Sequence, residues 1–598
     1  MRRVRYARKW LAVSAAAIAL LGGGATAFAA SSGNAHPRRV PPPATGAAAS
    51  KSVVTGGKSS AVPAASPPGE FTTTADPVTL DPPVKVPRTR PVAVTIADHA
   101  SFGNAPPPAT ATVALPSGPW AKVVLDVTGS EQGRQFDRLL DVYDGATQVF
   151  LGVTPEPTAA GITWHVQKDI TGYLPILRGT QTFSTFVDNF LSSVDTGIPV
   201  ITARLLFYPA GGGFAPARAA SLASPALAGD AIYETGPSSP ATIPEVPTQV
   251  VPIVPPGGTT DFNTVNTGQT VSGTVTLPDD ITTATLDLYA VGQINDEFWW
   301  GLTPAFREIE ISVDGKPAGV VWPYPYVYTG GVNPLIWRPL TGIHTMDIPS
   351  YRLDLTPFAG LLSASGPHTI GLTVVNNTGF WLAGGALLLT SGGPAVSGAV
   401  TSDSLSFPTA SSVSTSDALG NSSQPVTSES ASASYAISGT VTQGGRTWTD
   451  TLTQRLQFGN DQSFINPSCS GPCYQWAHQE TTASASEAIS GPGVQVTRTD
   501  QSSYTVDAPN GFLTDSSGAD FFLPASVNQQ LTDDATQGWY RTNLSESIIG
   551  YGALEEDNSV PTITNGETTG TITADTGGAL YQRTITTRGG QIVQDLTG

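Results

Sequence analysis

Three clusters of acidic and aromatic residues are the places where this chain could do chemistry. Asp137 stands in Gly133-Arg134-Gln135-Phe136-Asp137-Arg138, Asp188 in Phe186-Val187-Asp188-Asn189-Phe190, and two acids in Asn295-Asp296-Glu297-Phe298-Trp299-Trp300. A carboxyl group set among large apolar side chains loses hydration. That raises its pKa and fits it for general acid or base work. Exposed rings also make platforms against which the C–H faces of sugars pack. Arg307 with Glu308, and Trp337 with Arg338, offer donors in the same half of the chain as Glu297. Each cluster also has a plainer reading. Asp137 pairs with Arg134 or Arg138, Asp296 and Glu297 are solvated acids at a strand end with core aromatics, Asp188 is a paired structural acid, and Arg338 stacks on Trp337. The common catalytic signatures are missing: there is no Gly-x-Ser-x-Gly elbow, no phosphate-binding Gly loop and no His-Glu-x-x-His, and six His are too few and too scattered for a convincing triad.

The elements around these residues read as strands. Val92, Val94 and Ile96 alternate, as do Ala111–Leu115 and Lys122–Val127, and Leu139–Val149 crosses Asp144-Gly145, a two-residue hairpin signal. Leu286–Val291, Glu308–Val313, a turn at Asp314-Gly315 and Gly319–Trp322 repeat that plan. In each region an apolar strand ends in Gly (Gly129; Gly292), and a polar loop follows with a carboxylate beside an aromatic (Phe136-Asp137; Glu297-Phe298). The Asp-Gly hairpin comes next, then an Asp-x-Thr turn (Asp169-Ile170-Thr171; Asp354-Leu355-Thr356) and a further strand starting near Phe183 and His368. Five matches in one order predict two tandem antiparallel sandwiches, over 89–208 and 266–395. Beyond them, 396–598 is rich in Ser, Thr and Gly, with strand-like Tyr435-Ala436-Ile437 and Thr447–Leu456, and reads as an accessory β-rich domain of long antiparallel strands.

Composition agrees. The 598 residues suffice for three or four domains. With 63 Gly, 50 Pro and only 13% charged residues, short strands and turns are favoured over helical bundles. A formal charge of −18 argues against a nucleic-acid partner. Residues 1–30 have the form of a secretory signal peptide: Arg2, Arg3, Arg5, Arg8 and Lys9, the apolar run Trp10–Leu21, and the small-residue site Ala27-Phe28-Ala29. Export of bacterial type follows, to the cell surface or beyond, and no later stretch is apolar enough to span a membrane as a helix. Residues 31–88 read as a disordered Pro/Ala/Ser-rich linker, and 209–265 as a second spacer. Cys469 and Cys473 are the two cysteines, and a disulfide closing Cys-Ser-Gly-Pro-Cys is expected in an exported chain; a zinc site would need more ligands than the His supply.

Taken together, Gln135-Phe136-Asp137-Arg138, Thr154-Pro155-Glu156-Pro157 with Gly161-Ile162-Thr163-Trp164, Asn295–Trp299, Gly330–Pro339, and Pro349-Ser350-Tyr351 with Leu355-Thr356-Pro357-Phe358 resemble the peptide:N-glycosidase A family over about 92–395. A more distant similarity runs to bacterial peptide:N-glycosidase F, and implies two jelly-roll-like sandwiches side by side with the site at their interface. Its Trp-Asp-Arg motif resembles Phe136-Asp137-Arg138, its Glu-Trp resembles Glu297-Phe298, and its Glu-x-Trp resembles Asp188-Asn189-Phe190, with Phe for Trp throughout and Asp for Glu at 188. The resemblance implies hydrolysis of the amide joining Asn to the first N-acetylglucosamine of an N-glycopeptide, leaving Asp. It implies Asp137, Glu297 and Asp188 as catalytic residues, and Arg138, Asp296, Trp299, Trp300, Phe190, Trp164, Trp337 and Arg338 as substrate contacts, with no metal or other cofactor and a monomer. A sugar-binding protein and a glycosidase cutting between sugars are the competing expectations.

Overall fold

Alternating apolar residues, Asp-Gly hairpins and the scarcity of helix formers give a nearly all-β chain built of antiparallel sheets. The computed structural model describes residue 71 and residues 73–219, 245–408, 411–416, 426–465, 473–514, 521–537, 540–557, 560–576 and 580–598. The expected signal peptide and the Cys469–Cys473 disulfide lie outside the described residues and side chains. No helix among the described residues is long and apolar enough to cross a membrane.

The first unit holds eight strands: β1 (Val92–Ser101), β2 (Ala109–Ala114), β3 (Trp120–Glu131), β4 (Leu139–Asp144), β5 (Thr147–Val153), β6 (Ile162–Asp169), β7 (Thr180–Val187) and β8 (Val200–Pro209). They form two four-stranded sheets, in the orders β1-β8-β3-β6 and β2-β7-β4-β5. A short parallel pair, β9 (Arg218–Ala219) and β10 (Glu245–Val246), follows. The second unit comprises β11 (Gln249–Pro252), β12 (Phe262–Asn266), β13 (Thr270–Thr276), β14 (Ile281–Gln293), β15 (Glu308–Val313), β16 (Lys316–Val321), β17 (Tyr351–Asp354), β18 (Pro367–Val375) and β19 (Phe380–Ser391). Its sheets run β11-β19-β14-β17, with β12 also on β19, and β13-β18-β15-β16. Strand for strand this is the order of the first unit, with β11 and β12 sharing the place of β1. Asp144-Gly145 and Asp314-Gly315 turn the equivalent hairpins β4–β5 and β15–β16. The two Asp-x-Thr turns match as well: the Thr171 N–H donates to Asp169 Oδ1 at 3.0 Å, and the Thr356 N–H to Asp354 Oδ1 at 2.8 Å.

Two expected spacers prove partly structured. Gln249–Pro252 and Phe262–Asn266, inside the 209–265 tract, pair with β19, because Val250 and Val265 have apolar places to fill in that sheet. At the end of the 31–88 tract, Val78 bridges Leu340 and Leu80 is buried, so a Pro-rich composition does not keep this piece out of the core.

The C-terminal sheet has twelve strands: β20 (Val396–Ser397), β21 (Val400–Asp403), β22 (Ser411–Ser416), β23 (Val426–Gln443), β24 (Arg446–Ile465), β25 (Cys473–Gly491), β26 (Val494–Thr514), β27 (Phe521–Gln537), β28 (Tyr540–Asp557), β29 (Val560–Thr576), β30 (Leu580–Arg588) and β31 (Gln591–Thr597). From β23 to β31 the strands follow one another as an antiparallel meander. Alternate residues of β23 and β24 are buried, as expected for a sheet with one covered face. What covers it is the second unit: Tyr435, Ile437, Leu456, Phe458, Tyr504 and Val527 belong to the same apolar core as Ile309, Trp322 and Tyr351. Phe458 packs edge-on against Phe306 at 5.3 Å between ring centroids, and the Tyr504 hydroxyl donates to the Trp322 carbonyl at 2.7 Å. The sheet is therefore half of a shared core. Phe458→Ala is expected to cost about 3–5 kcal/mol and to lower one joint unfolding transition in calorimetry; two transitions, with that of the second unit unmoved, would contradict a shared core.

Candidate active site

The site is built where the two sandwiches meet. Their seam is stitched by backbone and side chains together. The Val153 N–H donates to Thr345 O and the Ile348 N–H to Leu151 O, both at 2.9 Å. The Thr329 hydroxyl donates to Thr154 O at 3.0 Å, and Lys168 Nζ meets Asp347 at 2.6 Å. The cores interlock too, with Leu151 and Val153 in the second core and Met346 and Leu388 in the first.

Asp137 and Glu297 occupy the same loop of the two units, Asp137 between β3 and β4 and Glu297 between β14 and β15. Both are half-buried. Burial pushes the Asp137 carboxyl up to about 6, against the pull of Arg138 and a hydrogen bond from the Gly330 backbone. Burial and then the charge of Asp137 push Glu297 up to about 8, with Arg138 again pulling down. The two carboxyl groups thus sense one another across the seam, with one guanidinium acting on both. Tyr328 lies beside them: burial, then Glu297, then Asp137 among other neighbours raise its phenol far above the ordinary value. A Cβ at Gly330 would come 2.5 Å from Glu156 Oε1 and 3.1 Å from Asp137 Oδ1, so only glycine lets this backbone pass between the two acids.

Local chemistry explains the placement. Gln135 is buried and serves as a hub: its Nε2 donates to Phe190 O at 2.9 Å, while its Oε1 accepts from the Phe136 N–H at 3.0 Å and from Arg138 at 2.7 Å. The Arg138 backbone is pinned to Thr154 in both directions, N–H to Oγ1 at 2.9 Å and O from N–H at 2.8 Å. In the second unit the chain turns back sharply after β14, so that a Cβ at Gly292 would lie 2.3 Å from Asp296 O. That turn rolls Glu297 toward the first unit.

The expected residues separate into two groups. Arg138 is half-buried beside the acids, and Phe190, 51% exposed, lies 5.9 Å from its guanidinium. Asp188 is exposed; partial burial raises its pKa and Arg138 lowers it, which puts it on the same side of the site. Arg338 is buried and ion-pairs with Glu156 at 2.8 Å, joining the two units.

The others are structural. Asp296 is fully buried and accepts from Arg307 twice at 3.0 Å, from the Thr378 N–H and hydroxyl, and from the Trp381 indole at 2.7 Å. A carboxylate so saturated has no lone pair left for a ligand. Trp299 packs on Trp381, and Trp300 donates to Tyr326 O at 3.2 Å; both rings are core, because the turns on either side of Phe298 roll them inward. Trp164 is buried across Gly129, where any side chain would collide with its ring. Trp337 is buried and donates to Gly331 O at 2.7 Å, holding the Gly330 turn rather than a substrate.

Tyr328, Glu156, Gln135 and Gly330 are the site residues that the sequence reading left without a role. Glu156 between two prolines and the alternation Tyr324, Tyr326, Tyr328 were the available signals. Glu131, at the end of β3, is a further one. It is buried, neither oxygen has a hydrogen-bond partner among the described residues, and burial pushes it up to about 8 despite Arg138. An acid whose folded pKa is raised contributes its stability below its unfolded value and loses it as pH climbs through the folded one. Glu131→Gln is therefore expected to leave stability unchanged near pH 4 and to gain on the order of 2–4 kcal/mol by pH 8, read from denaturant curves at both; an equal change at both would refute the burial of a neutral acid.

Comparison with known proteins follows these features. Almond (Prunus dulcis) peptide-N4-(N-acetyl-beta-glucosaminyl)asparagine amidase A is 32% identical over 323 residues, which cover 50% of this chain and 54% of that protein. The chain thus matches about half the length of that relative. Two solved structures, PNGase F from Flavobacterium meningosepticum (13% identity, 51% of this chain and 97% of that one, TM-score 0.32) and PNGF-II (14% identity, 51% and 66%, TM-score 0.34), are only weakly similar. The family model for peptide N-acetyl-beta-D-glucosaminyl asparaginase amidase A matches residues 77–379 and takes in every residue of the site above, and the chain belongs to that family.

Proposed function

We propose that this protein is an exported, monomeric amidase that hydrolyses the side-chain amide linking Asn to N-acetylglucosamine in N-glycopeptides, leaving Asp and releasing the glycan as a glycosylamine. The observation that carries the reading is that Asp137 and Glu297 stand half-buried on equivalent loops of the two units where these meet, with burial raising both carboxyl pKa values and the charge of Asp137 adding to the rise at Glu297. An amide is a poor electrophile with a poor leaving group, so water must be activated and the departing nitrogen protonated. Asp137, the more acidic partner, is ionised first and takes the role of base toward water. Glu297 still holds its proton at neutral pH and supplies it to the leaving nitrogen; environments that separate two carboxyl pKa values assign the roles. Arg138 tempers the charge of both acids, and Asp188 with Phe190 forms the open edge where the saccharide stem enters. The family membership supports the reaction class.

Incubation with a denatured glycopeptide, with mass spectrometry of both products, tests the reaction. A peptide carrying Asp in place of glycosylated Asn is the expected product. A peptide retaining N-acetylglucosamine would mean a glycosidase, and binding without product would mean a lectin-like protein. Asp137→Asn is expected to reduce glycan release by ~10²–10⁴-fold, and equal release would remove Asp137 from the mechanism. The rate should rise as Asp137 loses its proton near about 6 and fall as Glu297 loses its own near about 8. Because Arg138 lowers both values, Arg138→Gln should move both limbs of the pH profile upward; movement of neither would exclude the shared guanidinium.

A further inference from the structure

Three distant parts of the chain bring ligand-type side chains to one point outside this site. Asp81 comes from the segment before β1, His344 from the long connection between β16 and β17, and Glu546 from β28 of the C-terminal sheet. One nitrogen of His344 and one oxygen of each acid all lie within 4.8 Å of one another. His344 Nδ1 is 3.4 Å from Asp81 Oδ1, and Nε2 is 3.9 Å from Glu546 Oε2. The Glu546 side chain is only 2% exposed, and its Oε2 has no hydrogen-bond partner among the described residues. Asp81 is 30% exposed, which leaves a way in from solvent. The neighbouring Asp347, whose charge also reaches Asp81 and His344, is answered by Lys168. The unpartnered Glu546 oxygen is thus turned toward an imidazole and a second carboxylate, and a buried polar atom is costly unless it is paired or bound to a cation. His344 is also held at φ 54°, a left-handed backbone that a non-glycine residue keeps only where its surroundings enforce it.

We propose that Asp81, His344 and Glu546 form a binding site for a divalent first-row cation, with zinc as its occupant. One imidazole and two carboxylates make a three-ligand set that leaves a fourth position for water, and an imidazole favours zinc over magnesium or calcium. None of its three residues is among the groups that act on Asp137 or Glu297. Its effect would be mechanical: the connection that carries His344 also carries Tyr328, Gly330 and Arg338, so the cation fastens that connection both to the segment before β1 and to the C-terminal sheet.

The full chain, stripped with a chelator and dialysed, is titrated with Zn²⁺, Mg²⁺ and Ca²⁺ in separate arms. Bound metal is counted by plasma mass spectrometry, and Tm is followed alongside. One equivalent of zinc per chain and a zinc-dependent rise in Tm are expected, with neither effect from Mg²⁺ or Ca²⁺ at equal concentration. Glu546→Gln should abolish both effects. Asp81→Asn, at the partly exposed position, should weaken zinc binding at least tenfold without threatening the fold. The proposal is overturned by absence of bound zinc in the wild-type chain, by equal zinc binding in both variants, or by a Tm that follows pH and ignores zinc.

Discussion

The arrangement depends on holding two half-buried carboxyl groups within reach of each other's charge. Asp137 and Glu297 would repel one another if both were ionised, and burial penalises the charge of each. Three features answer that cost. Arg138 acts on both acids, the Gly330 backbone donates to the lower of the two, and the higher one keeps its proton. The consequence is a division of roles within a chemically similar pair, one acid ionised and the other not over the same pH interval.

Such closeness needs a seam that does not slip. The duplicated strand order delivers it, because Asp137 follows β3 and Glu297 follows its equivalent, β14. Two buried ties and one part-buried one then fix the two units: Glu156 to Arg338, Tyr173 to Asp287, whose carboxylate also meets Ser350 and Arg352, and Lys168 to Asp347. A buried ion pair is weak evidence for stability, but removing one partner is costly because it leaves the other charge buried without compensation. The C-terminal sheet contributes by completing the core beneath the second unit. The long connection between β16 and β17 packs against that sheet through Tyr324 on Tyr504, at 5.3 Å between ring centroids.

Features set by neighbours in sequence were legible from the residues alone. The Asp-Gly hairpins, the Asp-x-Thr turns, the strands by alternation and the loops bearing Asp137 and Glu297 all follow from local chemistry, and their repetition exposed the tandem plan. Features set by distant partners were not. Asp296, beside Glu297, read as a substrate contact, yet Thr378 and Trp381, more than eighty residues away, consume its lone pairs. Trp299 and Trp300 read as an exposed platform because nothing in six residues shows that the turns around Phe298 roll them inward. Glu156 had no assigned role because its partner Arg338 stands 182 positions later. Leu80 and Val250 sat in tracts whose composition suggested spacers, and single apolar residues that find a place in a core carry little weight in an average.

The most direct measurement is the titration of the Glu297 carboxyl, followed by carbon-13 NMR in the wild-type chain and in Asp137→Asn. Since the charge of Asp137 is one of the two causes that raise Glu297, its removal should lower the Glu297 midpoint from near about 8. A midpoint that stays where it was would mean that the two acids do not share a site, and the account of the seam would fail.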